Sequence, residues 1–533
     1  MPDNGSVPPS PASAPPARHT AGPVRAREEL TVVRPDLLAR YDAELAGARA
    51  AVLARLLGAL GREPLPGLRY RRTGETSFAD GVTVRFPAAA AAPFAPGEPG
   101  LRVEITNGRD ARRLDDPAEL AALLWPGSAL AGEIANSVAN LALARADQPA
   151  TPPTTTPPTT PPGDGDPDAL GRAEQTLTDG HPLHPCCRTR GGMTVADVLA
   201  YAPEHRPVVR LRRLRVPAGR WYGTAEPVLY AHPWQAGRLL DRYPWLADDG
   251  ETGPARPLMS LRTVAPVDGG PHVKTAVDVQ MTSAVRTVSP AAVHNGPLLS
   301  ALLRELTSDL PIEVLAETAA GAVVVDGAPR RHLAYLRRAA PALGYAETAV
   351  PLGVFATSPM LLSEVPDAYV FMGELGTLLF APLVRVLARG VALEAHGQNT
   401  LLVLRAGRPH RILYRDLGGV RVSAARLRAA GREPPPLRGD LPSDDPRELR
   451  TKLAAAALGT VAAQLIDAFA RRGADPARLW GVVAAAIRGT GTADVPHLLG
   501  EPLPVKATTA MRLAEDPLGD LWAFVDNPLA GHP

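Results

Sequence analysis

The sequence predicts an α+β chain built from more than one domain. Its 533 residues exceed what one ordinary core takes. Helix-period apolar segments dominate the two ends, whereas short alternating segments dominate the middle. A Pro/Thr-rich stretch, QPATPPTTTPPTTPPGDGDPD at 148–168, separates the first part from the rest as an extended linker.

Residues 1–30 read as a disordered tail because the start is rich in Pro, Ala and Ser. Residues 31–147 read as an N-terminal α/β domain. DLLARYDAELAGARAAVLARLLGAL at 36–60 has helical spacing and stops at Gly61. VTVRF at 82–86 and LRVEI at 101–105 alternate as strands, and helices at 119–125 and 129–146 are split by Pro126-Gly127. Residues 169–338 form a central β-rich domain, with strands expected at 207–216, 227–234 and 272–282. SPAAVHNGPLLSALLREL at 289–306 is a helix with Ser289 as N-cap and Pro290 first. Residues 339–533 form a C-terminal domain with a helical bundle. It has a helix near 373–390, a hairpin over 400–416 joined by a Gly-Pro turn, and helices at 447–472 and 475–489.

Composition excludes several classes. The net charge of +2, from 57 basic and 55 acidic residues, argues against a dedicated nucleic-acid binder. No uncharged apolar run of about 18 residues appears, so no membrane span is expected. MPDNGSVPPSPASAPPARHT has no apolar h-region, so no secretory leader is read and the cytosol is the expected compartment. Cys186 and Cys187 are the only cysteines, which rules out a disulfide framework. The chain contains no GxxxxGK[ST], no GxGxxG after a strand, no GxSxG and no HExxH.

Two stretches carry chemistry. In KTAVDVQMTSAVRTVSP at 274–290, strand alternation puts Lys274 and Thr282 on one face, with Arg286 just beyond. Ser260, Arg262 and Thr263 lie on the preceding segment, placed to pair as the neighbouring strand. These cations and hydroxyls suffice to hold a polyphosphate and a carboxylate; a half-exposed hairpin with ordinary surface charges accounts for the same pattern. In the second, Glu394 ends a helix, His396, Gln398 and Asn399 lie in a turn, and Asp416 ends the return strand. Glu394, Asn399 and Asp416 suit Mg²⁺, and a capping cluster is the alternative. Almost every cation is arginine and the only lysines are Lys274, Lys452 and Lys506, so Lys274 and Lys506 mark places that need a compact ammonium, with leftovers on a solvated face as the alternative. HPLHPCCRTRG at 181–191 is a poor metal site, because adjacent cysteines do not easily serve one tetrahedral ion. Its prolines fix an extended loop on which Arg188 and Arg190 are placed to meet an anion.

The chain resembles the NRPS-independent siderophore synthetases, the IucA/IucC family. The resemblance rests on GEIANSVANLALA (132–144), GHPLHPCCRTRGG (180–192), AHPWQ (231–235), SLRT (260–263), KTAVDVQMTSAVRTVSPAAVHNGP (274–297), EAHGQN (394–399) and RDLGG (415–419), with VKATTAMRL (505–513) and NPL (527–529) further on. It departs in Arg188, where the family has lysine, in the Cys186-Cys187 pair, and in the Pro/Thr insert at 151–162. The resemblance implies a cupped-hand fold of thumb, fingers and palm, with a mixed or antiparallel sheet region, a helical C-terminal part and a homodimer. It implies ATP and Mg²⁺ as cofactors. It also implies adenylation of a carboxylic acid, citrate or a citrate derivative, with release of pyrophosphate, then condensation with an amine or hydroxyl and release of AMP. By resemblance, Ser260, Arg262, Thr263, Lys274, His396, Gln398, Asn399 and Asp416 contact ATP. Thr282, Arg286, His396 and Lys506 contact the carboxylate. Glu394, Asn399 and Asp416 hold the metal, and Arg286, His396 and Lys274 are catalytic. The partners are thus small molecules, with no nucleic acid and no membrane. The alternative is a catalytically silent ligand-binding homologue or a ferric-siderophore handling protein.

Overall fold

In the N-terminal part, a 25-residue amphipathic helix, Leu38–Arg62, runs through Gly61 and ends where Glu63 turns extended. It packs against helix Leu130–Ala146. The computed structural model describes residues 21–149, 166–282, 284–516 and 519–532. The expected tail therefore falls mostly outside the described residues, as does most of the linker. Residues 23–30 correct the tail: Pro23–Val33 is a helix that buries Ala26 and Leu30, with Pro23 in its first turn, where its missing N–H costs nothing. Asp168, at the end of the linker, is anchored to Arg256 at 2.7 Å. A five-stranded antiparallel meander completes this part, in the order Leu68–Arg72, Glu75–Phe78, Val82–Arg85, Val103–Asn107 and Asp110–Leu114.

The middle is built on a six-stranded sheet in the order Ala255–Pro257, Thr263–Pro266, His272–Thr275, Ala328–Arg338, Glu317–Val325, Trp221–Gly223. The strand expected over 272–282 is two strands. His272–Thr275 stays in this sheet, while Val277–Met281 pairs with Ala284–Arg286 in a separate ribbon. Packing explains the break. Val273 is buried in the core of the middle region, whereas Val277, Val279 and Met281 are buried in the N-terminal core. Period-2 alternation cannot reveal a strand that changes sheets without losing phase. A second correction concerns 227–234. The strand ends at Ala231, and His232 caps a new helix, Pro233–Arg242, by accepting the Trp234 N–H at Nδ1. Helix Pro290–Leu306 is capped by Ser289 as expected and lies across strand Glu317–Val325.

In the C-terminal part the hairpin is Thr400–Arg405 with Arg408–Tyr414. Its turn is Ala406-Gly407, both with positive φ (50° and 77°), and Pro409 lies within the second strand. The turn twist that suits a two-residue hairpin requires positive φ at both positions. Ile312–Val314 adds in parallel and Glu347–Pro351 antiparallel, giving a mixed four-stranded sheet. Helix Ala381–Ala388 ends before Glu394, which follows strand Val391–Ala392 rather than ending a helix. The helical runs Ala368–Ala388 and Pro446–Ala470 are long and apolar enough to cross a bilayer, but 67% and 72% of their most apolar windows are buried. Their apolarity belongs to the large C-terminal core.

Candidate active site

The site begins with strand register. Thr263 stands opposite Lys274, so the two share a face of the six-stranded sheet. Lys274 Nζ reaches across to Asp416 Oδ2 at 2.6 Å. Burial pulls the lysine pKa down while Asp416 opposes that change. For Asp416, burial pushes the carboxyl up, but the Lys274 contact and the Arg338 and Arg262 charges more than reverse it. The carboxyl ends well below the usual carboxylate range and is ionised at neutral pH. Arg262 is half-buried and held by the Thr287 carbonyl at 2.7 Å. Burial and the nearby Arg286 charge lower it to about 10. Arg286 ends its short strand and donates to the Thr282 hydroxyl, and Thr282 has a φ of 53°. The acid-facing pair expected from the sequence is thus in contact, although its strand is not the one that carries Lys274.

The EAHGQN loop is clamped onto this face from behind. Arg415 forms two bonds to buried Glu174, at 2.6 and 2.9 Å, and donates Nε to the Gln398 carbonyl at 3.1 Å. Its backbone N–H also bonds the Asn399 carbonyl. Gly397 has no room for a side chain: an added Cβ falls 2.8 Å from the Gly353 nitrogen. At Gly419 an added Cβ falls 1.8 Å from Glu394 Oε2, which ties the RDLGG glycines to the EAHGQN loop. His396 accepts the Gln398 N–H at Nδ1, at 3.3 Å, which leaves Nε2 to carry the proton and donate outward. Its charged form is disfavoured by burial, with Glu394 and Asp416 pulling the other way and Lys506 adding to the disfavour.

Glu394 meets Lys452 at 3.2 Å and Lys506 at 3.4 Å; Asp520 meets the same lysines at 2.8 and 2.9 Å. All three lysines are therefore committed to buried or half-buried carboxylates. Among the described residues, no group of three or more His, Cys, Asp or Glu is arranged to hold a metal ion. Sequence reasoning missed Glu174, Lys452 and Asp520. The scarcity of lysine was the available signal for Lys452, but nothing local pointed at its partners, which lie far off in the chain.

The HPLHPCCRTRG loop divides in two. Arg188 and Arg190 do not face a ligand, which corrects the expected anion contact. They are buried against Glu204, at 2.9 Å each. Burial pushes Glu204 up, the two guanidiniums more than reverse it, and it settles at about 2. Helix Leu130–Ala146 fastens this half: Asn136, Ser137 and Asn140 bond the backbone of Arg190 and Arg188. That contact is why ANSVAN and CCRTR belong together. The cysteines are buried in the N-terminal core. The histidines turn the other way. His181 and His184 meet edge to face with centroids 6.0 Å apart. His181 feels the charges of His396, Lys506 and Arg286 in addition to its burial.

Comparison with known proteins bears on the fold that carries these residues. The IucA / IucC family matches residues 169–226 and 223–356. Over those residues the chain is similar to that family. Residues 372–518 also match the ferric iron reductase FhuF-like transporter family. Staphyloferrin A synthase of Staphylococcus aureus (strain NCTC 8325 / PS 47) is 26% identical over 427 residues, 68% of this chain and 73% of that protein. The petrobactin biosynthesis protein AsbB of Bacillus anthracis str. Sterne superposes with a TM-score of 0.76 at 18% identity, covering 93% of this chain and 98% of that one. The ATP-bound aerobactin synthetase IucA from a hypervirulent pathotype of Klebsiella pneumoniae gives 0.72 at 18% identity, covering 91% and 99%. These structures share the multidomain fold of this chain.

Histidine burial is expected to make this chain acid-labile. Burial lowers His181 and His232 to about 3 and holds His184 and His272 well below 6.5. Below pH 6.5 the unfolded chain takes up protons at these positions and the folded chain does not. Stability is therefore fully present above pH 6.5 and falls as pH drops toward the folded values, by about 1.4 kcal/mol per histidine per pH unit. The urea midpoint is expected to drop steeply between pH 6.5 and pH 5. His232→Asn, which keeps a cap acceptor for helix Pro233–Arg242, is expected to flatten the slope by about one proton. A midpoint that stays level over this range refutes the assignment.

Proposed function

We propose that the protein is an ATP-dependent siderophore synthetase. It activates a carboxylic acid, citrate or a citrate derivative, as an acyl-adenylate and condenses it with an amine or hydroxyl. The observation that carries this reading is the convergence of the Lys274–Asp416 pair, Arg262, Arg286 and His396 closely enough to perturb one another's ionisation. A citrate carboxylate and a triphosphate repel each other, and only a pocket of fixed cations lets them approach. ATP use is supported by the ATP-bound relative of the same fold, and citrate by the D-ornithine–citrate ligase of S. aureus, 22% identical over 346 residues.

In this reading Arg286 and Thr282 hold the acid, while Ser260, Arg262, Thr263 and Lys274 hold the phosphates. Gln398 and Asn399 line the nucleotide side, and Lys506 borders the acid side from its carboxylate network. A carboxylate oxygen attacks the α-phosphorus, the bond to the β-phosphate oxygen breaks, and pyrophosphate leaves. His396 Nε2–H donates to the acid in this step. The amine or hydroxyl then attacks the acyl carbon, the acyl–oxygen bond to AMP breaks, and the proton lost by the nucleophile passes to the departing phosphate or to solvent. Mg²⁺ takes one or two protein carboxylates and fills its shell from phosphate and water. Asp416 fits that role; Asn399 stands beside it in the same clamp, and Glu394 joins only by releasing its lysines. When bound, the ion supplies charge neutralisation at the phosphates. The expected setting is a cytoplasmic homodimer serving iron acquisition.

The test is pyrophosphate release with ATP, citrate and a panel of amines. Release that depends on both acid and ATP is expected. No release with citrate, 2-oxoglutarate or acylated acids would favour the second reading, a silent ferric-siderophore handling protein, which the FhuF-like match over 372–518 supports. That segment contains no cysteine to hold an iron–sulfur cluster.

A further inference from the structure

Arg338 is the last residue of strand Ala328–Arg338. It stands opposite His272 on one side and Glu317 on the other. Directly opposed residues share a face, and side chains alternate along a strand. Arg338, His272, Glu317, Lys274 and Thr263 therefore point to the same side of the six-stranded sheet, the side on which Lys274 meets Asp416. Arg338 is only 5% exposed, yet its Nε has no hydrogen-bond partner and no carboxylate of the described residues lies within ion-pair distance. His272 Nδ1 beside it is also buried and unpartnered.

A guanidinium cannot shed its charge at neutral pH, and a buried one without a partner destabilises the fold that holds it. Every other buried or half-buried arginine discussed above has an oxygen to bond: Arg188 and Arg190 have Glu204, Arg415 has Glu174, and Arg262 has the Thr287 carbonyl. Arg338 is the one left facing the site without an oxygen. Its fork accepts two oxygens at once, which is the geometry of a phosphate. Its neighbours on the face, Thr263 and Lys274, are those assigned above to the phosphates. The acid-facing pair, Thr282 and Arg286, lies on a different ribbon.

We propose that Arg338 is a further phosphate-binding residue of this site, taking non-bridging oxygens of the bound triphosphate and retaining the pyrophosphate formed from it. The inference rests on the ligase reading but adds a residue to it.

The experiment compares the full-length chain with Arg338→Met and Arg338→Lys, using calorimetry and thermal unfolding with ATP, inorganic pyrophosphate and citrate, each alone. Wild type is expected to bind ATP and pyrophosphate. Arg338→Met is expected to keep or raise its ligand-free melting temperature, to lose at least about tenfold in affinity for ATP and pyrophosphate, and to bind citrate normally. Arg338→Lys is expected to recover part of the loss. Unchanged pyrophosphate affinity in Arg338→Met overturns the inference and leaves the ligase reading standing. A loss confined to citrate overturns it in favour of a carboxylate contact. A ligand-free melting temperature lowered by ten degrees or so assigns Arg338 to the fold alone and overturns it too. Wild type that binds neither ATP nor pyrophosphate removes the ligase reading itself, and this inference with it.

Discussion

Arg286→Ala is expected to lower acid-dependent pyrophosphate release by about a thousandfold or more. Arg286 is half-buried and bonded to Thr282, and loss of solvent followed by the nearby Arg190 charge lowers its pKa. The protein thus keeps a desolvated cation where incoming carboxylate and phosphate charges meet. Removing it leaves two anions to approach through a region that water cannot screen well. Both kcat and the KM for the acid should suffer, because the same contact acts before and during attack. Arg286→Lys retains the charge but not the fork, and is expected to fall between wild type and alanine. Unfolding curves for both variants separate catalysis from stability. An alanine variant within a few-fold of wild type removes the carboxylate assignment.

Glu204→Ala is expected to lower stability by about 3–5 kcal/mol. Glu204 is fully buried and is the shared partner of Arg188 and Arg190. Deleting it leaves two guanidiniums facing each other in the N-terminal core, a cost that is a large share of the roughly 5–15 kcal/mol a domain has. Replacing all three residues with apolar groups of similar volume is expected to recover most of the loss. Denaturant unfolding is the measurement. A shift under about 1 kcal/mol for Glu204→Ala shows that water reaches the arginines and that the loop is open after all.

How far the sequence reaches can be seen in single elements. The Ser289 cap and the hairpin after Asn399 were readable, because each depends on residues within one or two turns of chain; of the SLRT segment expected to pair beside Lys274, only Thr263 lies in the strand. The break at Ala276 was not, because Val277 keeps the alternating phase while changing cores. The helix at Pro23 was missed because a Pro/Ala-rich composition says little when Ala26 and Leu30 find a surface to cover.

The site divides along the same line. The sequence alone determined which groups the chain has for handling anions: a few lysines among many arginines, the paired threonine and arginine at 282 and 286, and the histidine of EAHGQN. Residue type sets charge and hydrogen-bonding capacity, whatever the fold. Only the tertiary structure decided which of those charges remain free for a ligand. Ion pairing depends on partners outside the local pattern, from Glu204, 14 positions beyond Arg190, to Glu174, 241 positions before Arg415. It turned Arg188 and Arg190 inward as supports, and left Arg338, which no local pattern had marked, as a buried cation that makes no ion pair among the described residues.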